Sequence, residues 1–344
     1  MTLTETPPTA PADTAPAPLR PGLARGRGVT AIPGPSIIPE RVQRAMHAAM
    51  PNIYEGDLVA LSEGIHAELP AIAGTSGRAF VAISNGHGMW EMALTNTLSK
   101  GDRVLVLESG RFAVGWGDMA AMLGIEVEVL HAPERRGVDP AAVEARLRAD
   151  RGHEIKAILV VQIDTASGVW NDITAIRGAI DAAGHPALFM VDCIASLGCV
   201  PYRMDAWGVD VTVAGSQKGL MVPPGLGFAW ASDRAFEAHR GAGLRTPYWD
   251  WTARLDPAAH YKRYCGTPPV GHLYGLRAAL DMIVEEGLEA IWARHAAFAR
   301  AVRAAVAAWS SPGGIEFNIL DPEARSDAVT TILTGGIDAE RLRR

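Results

Sequence analysis

The sequence predicts an α/β protein in which a mainly parallel sheet lies between helices. Three observations predict this fold. Short, strand-like apolar segments recur from about residue 78 onward, and segments of ten or more residues with helical periodicity lie between them. The chain has 344 residues, enough for one large domain and a smaller one. Because parallel strands need long crossover connections, this alternation favours βαβ units over hairpins.

The elements follow one another in a regular order. Strands are predicted at residues 79–84, 103–109, 126–132, 156–163, 187–192, 210–215 and 227–232. Helices are predicted at residues 87–98, 113–123, 140–150, 172–183, 272–287 and 288–309. The first of these helices would bury a face formed by Trp90, Ala93, Leu94 and Leu98. Near the end of the chain, residues 328–334 are predicted as a strand and residues 337–344 as the beginning of a helix.

Composition divides the chain into three parts. Residues 1–28 are rich in Pro, Ala and Thr and bury too little apolar surface to fold, so they are predicted to form a disordered tail. Residues 29–270 are predicted to form the large domain, with an N-terminal loop. Residues 271–344 are predicted to form an interdomain helix and part of a smaller α+β domain.

Charge and cysteine content narrow the class of protein. A net charge of -6 and the lack of a Lys/Arg-rich run argue against nucleic acid as a partner. No apolar run is long enough for a membrane span, and the N-terminus lacks the order of a secretory signal. Cys193, Cys199 and Cys265 have no metal-ligand spacing, so no metal site is predicted. A cytoplasmic location is therefore expected.

A lysine follows one of the buried strands. Lys218 lies in the segment GSQKG, just beyond the strand at 210–215 and before a Pro-Pro-Gly turn. Lysines are usually exposed, and Schiff-base chemistry needs a lysine with a constrained stem and a low-dielectric setting. Lys218 is therefore a candidate for covalent catalysis, and a lysine in a surface turn is the alternative.

A carboxylate ends another apolar strand. Asp192 follows the segment 187–191, where an ionised side chain is costly unless it has a partner. Open α/β sheets bind ligands at the carboxyl ends of their strands. Pyridoxal phosphate (PLP) needs a carboxylate beside its pyridine nitrogen, so Asp192 and Lys218 together indicate a PLP site. A helix N-cap aspartate is the alternative interpretation of Asp192.

A glycine-containing turn lies between the first strand and the first helix. Free N–H groups at such a turn bind phosphate. The candidate phosphate-binding residues are Ser84, Asn85, Gly86 and His87, with Ser216 and Gln217 as further donors beside the lysine. The turn lacks the GxGxxG spacing of dinucleotide-binding proteins, which argues against a dehydrogenase.

Two further strand ends carry candidate ring contacts. Phe112 could lie flat on the cofactor, and Thr165 could donate a hydrogen bond to the ring hydroxyl. A core phenylalanine and an ordinary turn threonine are the alternatives.

In these segments the sequence resembles the class V aminotransferases of PLP fold type I, in the serine–glyoxylate and alanine–glyoxylate branch. The resemblance extends from residue 32 to about residue 326. Its most specific segments are residues 84–88, 164–169, 191–198, 215–225 and 261–276, and PYWDW at 247–251 is most similar to the serine–glyoxylate subgroup.

The resemblance implies a role for each candidate. Lys218 would carry the cofactor and move the proton, and Asp192 would pair with the pyridine nitrogen. The backbone of Gly86 and His87, with the side chain of Gln217, would hold the phosphate. Phe112 stands where the family often has a stacked tryptophan, and Thr165 matches the hydroxyl residue that faces the ring oxygen.

The resemblance also implies a homodimer with shared sites. Tyr264 and Thr267 match positions that reach the phosphate of the neighbouring subunit, and Gly34 and Pro35 match a loop that lines the substrate pocket. The implied activity is ping-pong transfer of an amino group from serine or alanine to glyoxylate or pyruvate.

One departure concerns the substrate carboxylate. The family binds it with an arginine of the C-terminal domain, in a segment expected beyond residue 344. Arg203, Arg245 and Arg263 are candidate substitutes, and a truncated sequence is the simplest explanation. Three alternatives remain open: lyase or desulfurase chemistry, pyridoxamine-linked transamination, and a PLP-binding remnant without activity.

Overall fold

The structure, a computed structural model, describes residues 32–255 and 259–343. The predicted tail at residues 1–28 lies outside the described residues. The strands are β1 (Arg78–Ser84), β2 (Arg103–Glu108), β3 (Glu126–His131), β4 (Ile155–Val161), β5 (Ile163–Asp164), β6 (Val169–Trp170), β7 (Leu188–Asp192), β8 (Val211–Gly215), β9 (Gly225–Ala231), β10 (Glu316–Phe317) and β11 (Ile332–Leu333).

Helices surround these strands. They are α1 (Glu40–Met46), α2 (Asp57–Ile72), α3 (Gly86–Thr97), α4 (Arg111–Met122), α5 (Pro140–Ala149), α6 (Ile173–Ala183), α7 (Asp233–Gly241), α8 (Trp251–Leu255), α9 (Val270–Glu286), α10 (Leu288–Trp309) and α11 (Ala339–Arg343). In the described part of the chain, no helix is both long enough and apolar enough to cross a membrane.

Seven strands form the central sheet, in the order β1-β9-β8-β7-β4-β2-β3. The pairs of β2, β3, β4, β7 and β8 are parallel, and β9 pairs antiparallel with both β8 and β1. Every strand except β9 therefore runs in the same direction. The carboxyl ends of six strands lie at one edge of the sheet, where open α/β sheets bind ligands.

Both faces of the sheet are buried. Along β4, Ile158 and Val160 face one apolar core, and Ala157, Leu159 and Val161 face the other. This alternation follows from the two-residue period of a strand. Helices α3 and α4 cover the second core, and helices α2, α6 and α9 cover the first. A sheet covered on both faces explains why the strands read as nearly continuous apolar runs.

Four of the helices that follow strands begin at capping side chains. Asn85 caps α3, Asp172 caps α6 and Ser232 caps α7, each accepting a hydrogen bond from a first-turn N–H group. At α5, Asp139 is the cap and Pro140 occupies the first helical position, which needs no N–H donor.

All seven predicted strands of the sheet and its mainly parallel character are confirmed. The strand predicted at 328–334 is reduced to β11, which pairs with β10. The N–H groups of Ala328 and Val329 bond instead to the hydroxyl of Ser326, so they are not available to a ladder. Helices α1 and α2 were not predicted. Pro70 lies inside α2 and obscures its helical pattern, although Leu58, Ile65 and Leu69 are buried at helical spacing.

Candidate cofactor site

A cavity of about 130 Å³ lies at the carboxyl edge of the sheet. In register, the last residue of β7, Asp192, pairs with Val161 of β4 and Val213 of β8, which brings three strand ends together. Seven residues predicted from the sequence line the cavity: Gly86, His87, Phe112, Thr165, Asp192, Gln217 and Lys218. Residues far apart in the chain thus meet because parallel strands end at the same edge.

Lys218 lies in the turn that follows β8. Its Nζ donates a hydrogen bond to the carbonyl oxygen of Pro33 at 2.7 Å. Burial lowers the pKa of this amine, which favours the neutral, nucleophilic form. Lys218 also lines a second, outer cavity of about 380 Å³, together with Gly34 and other residues of the N-terminal loop.

The N-terminal loop is hydrogen-bonded to the segment that carries Lys218. The Ser36 N–H donates to the carbonyl oxygen of Gln217 at 2.8 Å, and the Ser36 hydroxyl donates to the carbonyl oxygen of Lys218 at 3.1 Å. Gly34 packs so closely on Lys218 that a Cβ there would overlap the lysine side chain. The loop therefore restricts where the amine can move.

Asp192 is buried and has two hydrogen-bond donors. One oxygen accepts from the indole nitrogen of Trp90 at 2.8 Å, and the other accepts from the backbone N–H of Ile194 at 2.6 Å. Burial outweighs these bonds and raises the pKa of Asp192 to about 7. Sequence reasoning placed Trp90 only in the core. A buried indole N–H needs an acceptor, but the sequence does not show which acceptor it finds.

The first turn of α3 opens onto the cavity. The Asn85 side chain accepts from Gly88, and the Asn85 carbonyl accepts from Met89. The N–H groups of Gly86 and His87 have no partner within the helix, as is general for the first residues of a helix. They are the donors that an anion would find.

Of the two side chains beside the lysine, only one faces the cavity. Gln217 lines it, and within the described residues its Oε1 is buried without a hydrogen-bond partner. Ser216 does not line the cavity, and its hydroxyl donates to the carbonyl oxygen of Pro223 at 2.7 Å. The further prediction that Ser216 adds a donor to the phosphate is therefore wrong.

Aromatic rings form another wall. The ring centroid of Trp90 lies 4.4 Å from that of His87 and 6.4 Å from that of Phe112. Thr165 lines the same cavity from the turn after β5. An aromatic wall and a hydroxyl suit a flat, polar ring.

Several predicted residues lie outside the cavity. Ser84 lines neither cavity, and Asn85 acts as the cap of α3. Pro35 is exposed beside Gly34, and Thr267 is exposed. Tyr264 is buried with its hydroxyl hydrogen-bonded to that of Ser62.

The three candidate arginines also lie elsewhere. Arg203, Arg245 and Arg263 line neither cavity. The arginine that lines the outer cavity is Arg294, whose guanidinium is paired with Glu286 through two hydrogen bonds of 2.6 and 3.0 Å.

The residues present fit PLP. An amine of lowered pKa, a buried carboxylate and the free N–H groups of a helix N-terminus surround one cavity, and the side-chain amide of Gln217 also lines it. These groups match the aldehyde, pyridine nitrogen and phosphate of that cofactor.

Comparisons with known proteins agree with this chemistry. The family described as aminotransferase class-V matches residues 73–344. The serine–glyoxylate aminotransferase of Methylorubrum extorquens is 43% identical over 92% of this chain and 79% of its own length. The L-aspartate–glyoxylate aminotransferase of Paracoccus denitrificans is 43% identical over 90% of this chain and 77% of its own length. The crystal structure of pyridoxamine–pyruvate aminotransferase from Mesorhizobium loti superposes with a TM-score of 0.82 at 28% identity, covering 92% of this chain and 79% of that one.

The fold and these matches define the class: the protein is a PLP-dependent aminotransferase of fold type I. Within that class, the chain belongs to the class V aminotransferase family.

Proposed function

We propose that this enzyme transfers the amino group of a small amino acid, serine or alanine, to glyoxylate or pyruvate. The observation that carries the proposal is the position of Lys218, which lines both the cavity that contains Asp192 and the outer cavity beside the N-terminal loop. A cofactor in the inner cavity would place its reactive carbon beside a space large enough for a small amino acid. The names of the relatives support glyoxylate as the acceptor.

Each side chain of the cavity has a proposed task toward the cofactor. When bound, PLP supplies an electron sink for the carbon that loses its proton. Asp192 would hold a proton on the pyridine nitrogen, and the positive charge there would favour the ionised carboxylate. The N–H groups of Gly86 and His87 would hold the phosphate, with the side-chain N–H₂ of Gln217 as a further donor.

The remaining contacts orient the ring and move the proton. Phe112 would stack on the ring, and the Thr165 hydroxyl would donate to the ring oxygen. Lys218 would hold the cofactor covalently, and its free Nζ would take the proton from the α-carbon of the amino donor. Because burial lowers the pKa of Lys218, the free amine is neutral more often than that of a surface lysine.

The assembly and location also belong to the proposal. The enzyme acts as a cytoplasmic homodimer in which Tyr264 and Thr267 reach the phosphate site of the partner subunit. Gly34 and Pro35 line the substrate side of the pocket. The boundary between the large domain and the C-terminal part is placed near residue 270.

Cysteine-based chemistry is a weaker alternative. Burial raises the pKa of Cys193 and raises that of Cys199 to about 11, so both thiols stay protonated near neutral pH. Protonated thiols are poor nucleophiles, which argues against a desulfurase that uses either residue.

The test is a visible spectrum of the purified chain recorded before and after L-serine, and again after glyoxylate. The band of the lysine-linked cofactor should bleach with serine and return with glyoxylate. If the band forms but no small amino acid bleaches it, the cofactor assignment stands and the substrate assignment is wrong.

The lysine itself is tested with Lys218→Ala. The variant should lose both the lysine-linked band and more than about 1,000-fold of turnover, since covalent and proton-transfer roles are removed together. Lys156→Ala, which changes an exposed lysine bonded to the His153 carbonyl, is the matched control and should behave like the unmodified enzyme. Substantial turnover in Lys218→Ala would sink the assignment.

A further inference from the structure

A second buried carboxylate lies next to the cavity. Asp164, at the end of β5, is fully buried and precedes Thr165. Its Oδ2 accepts from the backbone N–H groups of Phe112 at 2.9 Å and Ala113 at 3.4 Å. Its Oδ1 accepts from the backbone N–H of Ala166 at 2.9 Å. One side chain thus joins two elements that are 52 residues apart in the chain.

Toward α4, Asp164 takes the place of a helix cap. The N-cap residue of α4 is Gly110, which has no side chain to satisfy the first-turn N–H groups. Phe112 and Ala113 are the second and third helical residues, whose N–H groups a capping side chain normally binds. A Cβ at Gly110 would overlap the Asp164 carboxylate. The glycine therefore leaves the space through which a distant aspartate reaches the helix.

Toward the chain that follows it, Asp164 closes a tight turn. Besides the Ala166 bond, its carbonyl oxygen accepts from the N–H of Gly168 at 2.8 Å. Thr165 lies inside this turn and lines the cofactor cavity. The side chain and backbone of one residue thus fix the position from which the Thr165 side chain projects.

A buried carboxylate is a costly way to cap a helix. Burial raises the pKa of Asp164, which shows that desolvation outweighs the three hydrogen bonds it accepts. A serine or aspartate at position 110 would cap α4 alone, partly exposed and at lower cost. Asp164 instead bonds to Phe112 and to the turn that contains Thr165 at the same time.

We propose that Asp164 is a positioning residue that fixes Phe112 and Thr165 relative to each other in the wall of the cofactor cavity. The inference rests on the proposed function, because it takes these two residues as contacts of the cofactor ring. Asp164 itself touches neither substrate nor cofactor; it acts through the two side chains that do.

The test measures binding of pyridoxamine phosphate to the full chain after its own cofactor is removed. This ligand binds without a bond to Lys218, so its affinity and its circular dichroism band are independent of turnover. Asp164→Asn keeps the size of the side chain but puts an N–H₂ group against backbone donors. Its affinity should fall about tenfold, the effect of one or two lost hydrogen bonds, and the cofactor band should weaken.

The matched control is Asp210→Asn. Asp210 is also buried, and it accepts from the Phe189 N–H at 2.8 Å and the Ser232 hydroxyl at 3.1 Å, but at the opposite edge of the sheet. Its variant should lose thermal stability and leave cofactor affinity and the dichroism band unchanged. Equal changes in cofactor binding for the two variants would show that Asp164 serves stability alone.

A second variant covers the case in which Asp164→Asn does not fold. Gly110→Ala retains the carboxylate but displaces it, and should weaken both the dichroism band and the affinity by a few-fold. Unchanged binding in Gly110→Ala overturns the proposal. If the unmodified chain does not bind pyridoxamine phosphate, the proposed function fails. If the unmodified chain binds it and Asp164→Asn binds it equally well, only the positioning role of Asp164 fails.

Discussion

At the residue scale, burial of the Asp192 carboxyl group adds a pH-dependent cost to folding. A carboxyl group with a pKa of about 7 in the folded chain and 3.8 in the unfolded chain opposes folding wherever the unfolded form is ionised. The penalty begins near pH 4, grows through pH 7 and is constant above it. At full size it is on the order of 4 kcal/mol. Burial of Asp192 thus favours a positively charged partner at the expense of the stability of the chain alone.

We therefore expect Asp192→Asn to stabilise the cofactor-free chain at alkaline pH. The asparagine is never ionised, so its melting temperature relative to the unmodified chain should rise between pH 5 and pH 8, by roughly a few degrees. Cofactor affinity should fall in the same variant, because the pyridine nitrogen loses its partner. Thermal melts of both chains at the two pH values check the sign, and a pH-independent difference would contradict the raised pKa.

A second prediction at this scale concerns the indole that holds Asp192. Trp90→Phe removes the N–H donor that stabilises the carboxylate, so the pKa of Asp192 should rise further and pyridoxamine phosphate should bind about five- to tenfold more weakly. Trp116→Phe is the control, since Trp116 stacks on Trp90 at 6.1 Å but its buried indole nitrogen has no hydrogen-bond partner among the described residues. Equal losses in the two variants would mean that packing, and not the hydrogen bond, is responsible.

At the element scale, the important feature is where helices begin. The first turn of α3 is open to the cavity at Gly86, and the first turn of α4 is bound by Asp164 at Phe112. The two successive helices thus differ in what satisfies the N–H groups of their first turns. In α3 the N–H groups of Gly86 and His87 have no partner within the helix, whereas in α4 those of Phe112 and Ala113 are satisfied by Asp164.

The open helix end gives a direct prediction. A Cβ at Gly86 would overlap the side chain of Ile194, so Gly86→Ala should displace the first turn of α3 and weaken phosphate binding. Inorganic phosphate should compete with rebinding of the cofactor to the cofactor-free unmodified chain. This competition should be several-fold weaker in the variant. Gly178→Ala in α6, where a Cβ meets nothing within 4 Å, should leave binding unchanged and stabilise its helix by up to about 1 kcal/mol.

At the scale of the whole molecule, the proposed shared site can be tested by mixing subunits. Lys218→Ala removes the amine of its own site, and Thr267→Glu places a negative charge at the phosphate site of the partner. Each homodimer should be inactive. After subunit exchange, mixed dimers should contain one intact site, and the mixture should recover about a quarter of full activity.

The Thr267→Glu homodimer by itself gives the result that would contradict the shared site. If Thr267→Glu alone is fully active, Thr267 does not approach a phosphate, and the shared-site arrangement is wrong. A sedimentation measurement of the unmodified chain, with a dimer expected, shows whether exchange between subunits is possible at all.

Much of this molecule could be predicted from local sequence patterns. Strand and helix periods identified all seven strands of the sheet, and strand ends identified Lys218 and Asp192, because a polar side chain that ends an apolar strand is conspicuous. Strand ends also suggested Phe112 and Thr165 as candidate ring contacts, and the resemblance to a family implied the same roles. Each of these features depends on residues close together in the chain, or on the rule that parallel strands end at one edge.

Only the tertiary structure decided the contacts between distant segments. The bond from Trp90 to Asp192, the fastening of Ser36 to the lysine segment and the reach of Asp164 to α4 each join residues that no sequence period relates. The same holds for Ser326, whose hydroxyl takes up the N–H groups of a predicted strand. Buried donors and acceptors must be paired, so the sequence dictates that such side chains find partners. Which partners they find depends on the packing of the complete sheet and its helices.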